Sequence, residues 1–261
     1  MNRQQSLGGG GARGFLPLKG KNVGVEPPTY KGITSEVGWA FSPTKSKIAF
    51  TLAEALITLG IIGVVAAMTM PTLITKYQKH VAINRAKQVY SELSQVLQLA
   101  RVKYGDMDSW EITSYDAATK YIVDFYKGLT VCKKPGEPQN SDCGMGMSSA
   151  APIYATARGE GLSFSVGSSG NIFGDAIFIL VDTDGGKGKN RLGTDVFYFE
   201  MKNNRLTSFA WKDDITREEL KDGYYSDVFG QTFACKEDGN RHACTSLLML
   251  DGWEMKDDYP W

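Results

Sequence analysis

Residues 50–70, FTLAEALITLGIIGVVAAMTM, carry one charge, Glu54, in 21 positions. Wound as an α-helix at 1.5 Å per residue, the segment is about 32 Å long and matches a hydrocarbon core of about 30 Å. A helix apolar on every side must be buried on every side. In a soluble protein few helices keep that character for such a length. The segment is therefore expected to cross a membrane, which divides the chain into a short head, a span and a long body.

The charges fall unevenly about that span. Lys and Arg total 29 and Asp and Glu total 29, so the formal charge is zero. Before Phe50, however, there are seven basic residues and only two acids, Glu26 and Glu36. Lys45 and Lys47 lie just ahead of the span. The positive-inside tendency predicts a cytoplasmic head and an extracytoplasmic, mildly acidic body. A neutral chain has no electrostatic footprint for nucleic acid, and that partner is excluded on charge.

Four cysteines, Cys132, Cys143, Cys235 and Cys244, all lie in the body. No two form a CxxC pair, and His80 and His242 lie far from any four-ligand spacing, which argues against zinc. An even count clustered two and two reads better as disulfides in an oxidising compartment, with four free thiols as the alternative. Four cysteines allow three connectivities. Cys132–Cys143 and Cys235–Cys244 are expected because sequence-local pairs fit two separate loops.

Pro71 follows the span and is expected to kink the helix, since proline removes one helical hydrogen bond. Beyond it Leu73, Ile74, Tyr77, Val81, Val89, Tyr90, Leu93, Val96, Leu97, Ala100 and Tyr104 recur at spacings of three and four. That is one apolar stripe on an amphipathic helix, and Gly105 is its stop. The pattern predicts a rod over 50–105, apolar all round at first and one-sided later. A short helix around 117–126 comes next. Residues 162–167, 176–182, 195–201 and 206–211 read as strands, with Asn203-Asn204 closing a hairpin, and TSLLML at 245–250 joins them as a further apolar run. A helix followed by strands in series predicts an α+β fold: a long helix on a small antiparallel sheet. The stripe from Val89 to Ala100 is expected to be covered by the sheet, and 71–83 to stay clear of it. The domain scheme is a disordered leader (1–49), a transmembrane helix (50–70), an amphipathic continuation (71–105) and a disulfide-bonded globular domain (106–261).

The string KIAFTLAEALITLGIIGVVAAMTMP resembles the N-terminal processing and methylation signal of type IV prepilins and of the pseudopilins of type II secretion. The resemblance rests on the spacing of Phe50, Glu54 and Pro71 within one apolar segment. It implies cleavage by a prepilin peptidase between Ala49 and Phe50, N-methylation of Phe50, and an assembly role for Glu54. The chain departs from the family pattern in having Ala49 where Gly is usual, and in the length of its leader. The resemblance covers 45–105 closely and the remainder in outline, implying a pilin-like fold. It also implies three partners: the peptidase/methylase, other pilin or pseudopilin subunits, and an inner-membrane assembly platform. The location implied is the bacterial inner membrane and then the filament. A carboxylate in a membrane helix costs about 2.5–3.5 kcal/mol unless partnered, and the new α-amino group of a neighbouring Phe50 would be such a partner.

The loop DTDGGKGKNRLGTD offers oxygen ligands at Asp182, Asp184, Asn190 and Asp195. Calcium is the candidate ion, although position twelve is Gly193 and not Glu, and Lys187, Lys189 and Arg191 oppose a cation. No other cofactor is expected. SPTK at 42–45 lacks partner motifs, and neither HExxH nor a phosphate loop occurs, so no catalytic residues are assigned. His80 and His242 are expected to be solvated, and Trp253 to pack on the sheet. The competing reading is a membrane-anchored extracytoplasmic binding module that does not assemble.

Overall fold

The computed structural model describes residues 50–134, 140–141, 143–146, 148, 151–167, 175–210, 212–227, 229–237 and 240–261. The chain divides into two units, Met1–Thr51 and Leu52–Trp261, and nearly all described residues belong to the second.

The second unit begins with α1 (Leu52–Tyr104), one 53-residue helix that runs through Pro71. At 1.5 Å per residue it is about 80 Å long. No residue between 52 and 81 is buried, whereas Ala82, Ile83, Ala86, Val89, Leu93, Val96, Leu97 and Ala100 all are. The buried set recurs at three and four, so one stripe meets the body of the protein. The sheet-facing part therefore starts at Ala82, slightly earlier than 84, and small Ala82 and Ala86 let the backbone approach closely. Tyr77, Leu73 and Ile74 belong to the apolar pattern but remain exposed. Gly105, at φ +80°, ends the helix and donates its N–H to the Arg101 carbonyl at 2.9 Å.

A 3-10 turn (Met107–Ser109), α2 (Tyr115–Ala118) and a π turn (Thr119–Val123) follow, occupying much of the segment expected to be one short helix. The strands are β1 (Thr130–Lys133), β2 (Asn140–Ser141), β3 (Gly144–Met145), β4 (Ile153–Ala155), β5 (Gly161–Gly167), β6 (Ala176–Asp182), β7 (Val196–Lys202) and β8 (Arg205–Ser208). Then come α3 (Arg217–Asp222), β9 (Tyr224–Ser226), β10 (Gln231–Phe233) and α4 (Cys244–Leu250). Six strands form one antiparallel sheet in the order β1-β4-β5-β6-β7-β8, while β2-β3 and β9-β10 are separate two-stranded ribbons.

Register assigns the two faces. Phe164, Ile179 and Phe199 stand opposite one another across β5, β6 and β7, as do Leu162, Val181 and Phe197. These residues are buried and share a face with α1, whose Tyr90 ring lies 5.7 Å from Phe199. The other face presents Phe178 and Tyr198, packed with Phe209; Phe229, Phe233 and His242 complete that aromatic cluster. Covering on both faces explains why AIFILVD is apolar without alternation: all seven residues of β6 are buried. Asn203 and Asn204 adopt φ of +49° and +61°, as a two-residue primed hairpin turn requires, and join β7 to β8.

The 245–250 run is helical, not a strand. Leu and Met are good helix formers without β-branching. As a helix the segment buries Leu247 and Leu248 together, and its first-turn hydroxyls find partners. Thr245 accepts the Tyr198 N–H at 3.0 Å, and Ser246 pairs with Ser208 at 2.6 Å.

Candidate functional site

Three places are candidate sites; the functional residues expected from sequence fall in the first two. The first is the exposed half of α1. Glu54 lies exposed in its first turn. Phe50, ahead of the helix in sequence, is 84% exposed. Ala49 and the whole leader lie outside the described residues. From Ala55 to Thr75 the helix carries no charge. Gly60 and Gly63 have open space where a Cβ would stand, so nothing among the described residues accounts for their smallness. This half is long and apolar enough to cross a membrane.

The second place is the loop between β6 and β7. Its acids are engaged in folding the loop. Asp182, fully buried, accepts the N–H groups of Asp184 and Gly185 at 3.3 and 3.1 Å. Asp184 accepts Lys187 N–H at 3.1 Å, and Asp195 accepts Arg191 N–H at 2.6 Å. Burial, with the Asp184 charge adding to it, pushes the Asp195 carboxyl above its usual range. The Asn190 side-chain oxygen is buried and has no hydrogen-bond partner among the described residues. Among the described residues no three His, Cys, Asp or Glu side chains are placed to hold a metal ion. The four proposed ligands thus share one loop, and backbone N–H groups bond one oxygen each of Asp182, Asp184 and Asp195. Gly193, at φ +74°, is required here, because a Cβ would come 2.3 Å from Cys244 Cβ.

This loop lies against α1. Arg85 donates to the Thr183 carbonyl at 2.6 Å. Together they line a cavity of about 540 Å³ that includes Tyr77, Val81, Lys187, Lys189 and Trp261. The Lys79 ammonium stands 5.6 Å from the centre of the Trp261 ring. Tyr77 belongs to the apolar pattern of α1, in the stretch expected to stay clear of the sheet, and no role for Trp261 was readable. Tyr77 follows Lys76, the first charge after the uncharged run, and Trp261 meets the same stretch of helix at Lys79.

The third place is the outer face at the β8 edge. Glu200 of β7 lines a groove of about 470 Å³ with Lys202, Thr207, Phe209, Tyr224 and Phe229. Burial pushes its carboxyl up to about 7, with Lys202 pulling it back only in part. Nothing in the sequence singled this residue out, because an alternating strand normally directs such a side chain to water.

The disulfides are Cys132–Cys143 and Cys235–Cys244, as expected, and there are no free cysteines. His80 is exposed, but His242 is not solvated as expected. Its Nδ1 lies 2.8 Å from Asn240 Oδ1, and the aromatic cluster encloses the ring, so burial pushes its pKa down. Trp253 packs against Tyr90 and Phe199, as expected. Sequence reasoning missed a clamp on the long helix. Arg158, in the β4–β5 turn, donates to both Glu92 oxygens at 2.9 Å, and Tyr126 donates to the same carboxylate. The guanidinium also meets fully buried Glu160 at 3.2 Å, which Thr156 bonds in turn.

No curated protein and no solved structure matches the chain. Over residues 72–127, which span the amphipathic half of α1 and the turns after it, the chain matches the model of a family of unknown function, DUF6613.

Proposed function

We propose that this chain is a non-catalytic subunit of a type IV pilus or of a related pseudopilus. In this reading it is inserted as a single-pass inner-membrane protein, processed before Phe50 and assembled through α1. The observation that carries the reading is the division of α1. One continuous helix is bare and uncharged from 55 to 75, and is covered by an antiparallel sheet from Ala82 onward. A helix that served only its own domain would not keep nearly half its length apolar and unburied. The Phe50, Glu54 and Pro71 spacing supplies the processing and register elements. Glu54, exposed near the start of the apolar half, would pair with the α-amino group of a neighbouring Phe50 and fix the axial stagger of stacked helices.

The test is mass spectrometry of the mature chain made together with a prepilin peptidase. Loss of residues 1–49 and an N-methylated Phe50 are expected, leaving 212 residues. Ala49→Glu should prevent maturation, since a charged side chain does not suit a site shaped for a small one. Glu54→Val should insert normally and fail to enter filaments. An intact leader would favour the second reading, a membrane-anchored binding module. The aromatic-lined groove at Glu200 gives that reading a place for a ligand.

A further inference from the structure

We propose that the face formed by Lys76, Tyr77, Lys79, Lys187, Lys189 and Trp261 binds the anionic phospholipid headgroups of the leaflet from which α1 emerges. The inference rests on the reading of α1 as a membrane span and not on filament assembly.

The level comes from the helix itself. Residues 55–75 form an uncharged run of 21, about 32 Å long, that fills the hydrocarbon. Lys76 is the first charge beyond it, so Lys76 to Lys79 lie at the headgroups. Tyr77 is exposed there, and the half-buried Trp261 ring sits beneath the Lys79 ammonium. Tyr and Trp are enriched at that depth, where one side of the ring meets apolar chains and the other meets water.

The sheet then brings a second cationic element to the same level. The loop after β6 borders Tyr77 and Val81 across the cavity, and Arg85 holds it to the helix through Thr183. Lys187 and Lys189 are exposed at its tip. Neither makes a salt bridge among the described residues. The neighbouring carboxylates of Asp184 and Asp195 accept backbone N–H groups of the loop. Lys187 and Lys189 are thus the more exposed charges, while Asp184 and Asp195 are half-buried at the cavity wall.

Charge count points the same way. Lys76, Lys79, Arg85 and Lys87 follow the uncharged run, while only Lys45 and Lys47 closely precede the span. The basic head, with seven Lys and Arg before Phe50, and the two disulfides of the body both favour export of this flank. An anionic leaflet offers those cations a partner after export, and a juxtamembrane lysine gains about fivefold in binding from such a surface.

The full chain is reconstituted in nanodiscs of phosphatidylcholine alone and of phosphatidylcholine with one-quarter phosphatidylglycerol, and amide exchange is read by mass spectrometry. Exchange over 183–195 should slow at least about fivefold in the anionic discs. The protection should vanish in 0.5 M salt and in the Lys187→Gln/Lys189→Gln double variant, with exchange in β6 unchanged as the control for folding. Equal exchange in both discs, or protection that follows the number of chains per disc instead of the lipid, would overturn the inference and leave the span intact. A chain that alkaline carbonate strips from both discs would bring down the membrane reading, and this inference with it.

Discussion

Stability should fall as pH rises through the range in which Glu200 ionises, and Glu200→Gln should abolish that dependence. The Glu200 carboxyl stands on the outer face of β7, flanked across the sheet by Phe178 and Thr207, in a groove with Phe209, Tyr224 and Phe229. Burial raises it from 4.5 to about 7. Between those values the folded chain holds a proton that the unfolded chain has released, so ν(U) − ν(N) is negative and stability declines with pH. At about 1.4 kcal/mol per pKa unit the ceiling is about 3.4 kcal/mol, and water in the open groove reduces the expected loss to about 1–2 kcal/mol. His242 acts in the opposite sense. Its pKa is pushed down by burial, so the folded state disfavours the proton that the unfolded imidazole takes up below about 6.5. Comparing variant with parent at each pH cancels the His242 contribution. The assay is urea unfolding of the full chain in detergent, followed by tryptophan fluorescence, at pH 5 and pH 8. Glu200→Gln should match the parent at pH 5 and exceed it by about 1–2 kcal/mol at pH 8. A difference between the two proteins that is the same at both pH values would refute the reasoning.

Leu93, fully buried beneath the sheet, should cost about 2–5 kcal/mol as Leu93→Ala in the same urea assay, against under about 0.5 kcal/mol for the 52%-exposed Leu99→Ala. Leu93→Asp should prevent cooperative unfolding altogether, because it places an unpaired charge in the helix–sheet core. Arg158→Ala strips one partner from Glu92 and from fully buried Glu160, and should lower stability at pH 7 by about 1–3 kcal/mol. Burial raises the Glu92 carboxyl, but hydrogen bonds from Arg158, Tyr126 and Gln88 together outweigh it and hold the group below 4.5. The clamp's contribution is therefore present above pH 4.5 and lost as pH falls through the lowered value, which an acid titration of Arg158→Lys against parent would read. Removing Cys235–Cys244, which closes a loop of sequence separation 9, should lower stability by about 2–3 kcal/mol and loosen the start of α4. Thermal melts of Cys235→Ser/Cys244→Ser with and without reductant would check this, since the parent should lose more on reduction than the variant, which keeps only Cys132–Cys143.

The parts of the fold that were legible are those in which one periodicity runs unopposed. The α1 stripe, β6 and the Asn-Asn hairpin follow from local pattern: a three-and-four spacing, an unbroken apolar run of strand length, and a turn signal between strands. The 245–250 run failed that test. Six apolar or small residues fit a strand or a buried helix equally well, and tertiary context decided. The choice turned on Thr245 and Ser246, whose hydroxyls are met by the Tyr198 N–H and by Ser208 only in the helical form. β1, β4 and the β9–β10 ribbon are three or four residues long, too short to display any period. α3 carried a readable signal that went unused: Thr216 and Glu219 form a capping box.

The candidate sites divide along the same line. The Phe50, Glu54 and Pro71 pattern is readable because the roles proposed for it depend on spacing along one segment of the chain. Lys187, Lys189 and Trp261 are not, because what unites them with Lys76 and Lys79 is a shared level along α1, set by how the sheet is threaded. β6 runs toward the membrane-proximal end of the covered half of α1, and its loop must turn there. Any charge in that loop is thereby delivered beside the emerging span. The acidic positions of the loop are consumed in building the turn, and Asp195 is further disfavoured as an anion by its burial. A loop that reads in sequence as a balanced mixture of acids and lysines thus exposes its lysines more fully than its half-buried acids. A balanced composition says little about the charge a partner meets; the hydrogen bonds that the acids have already made decide it.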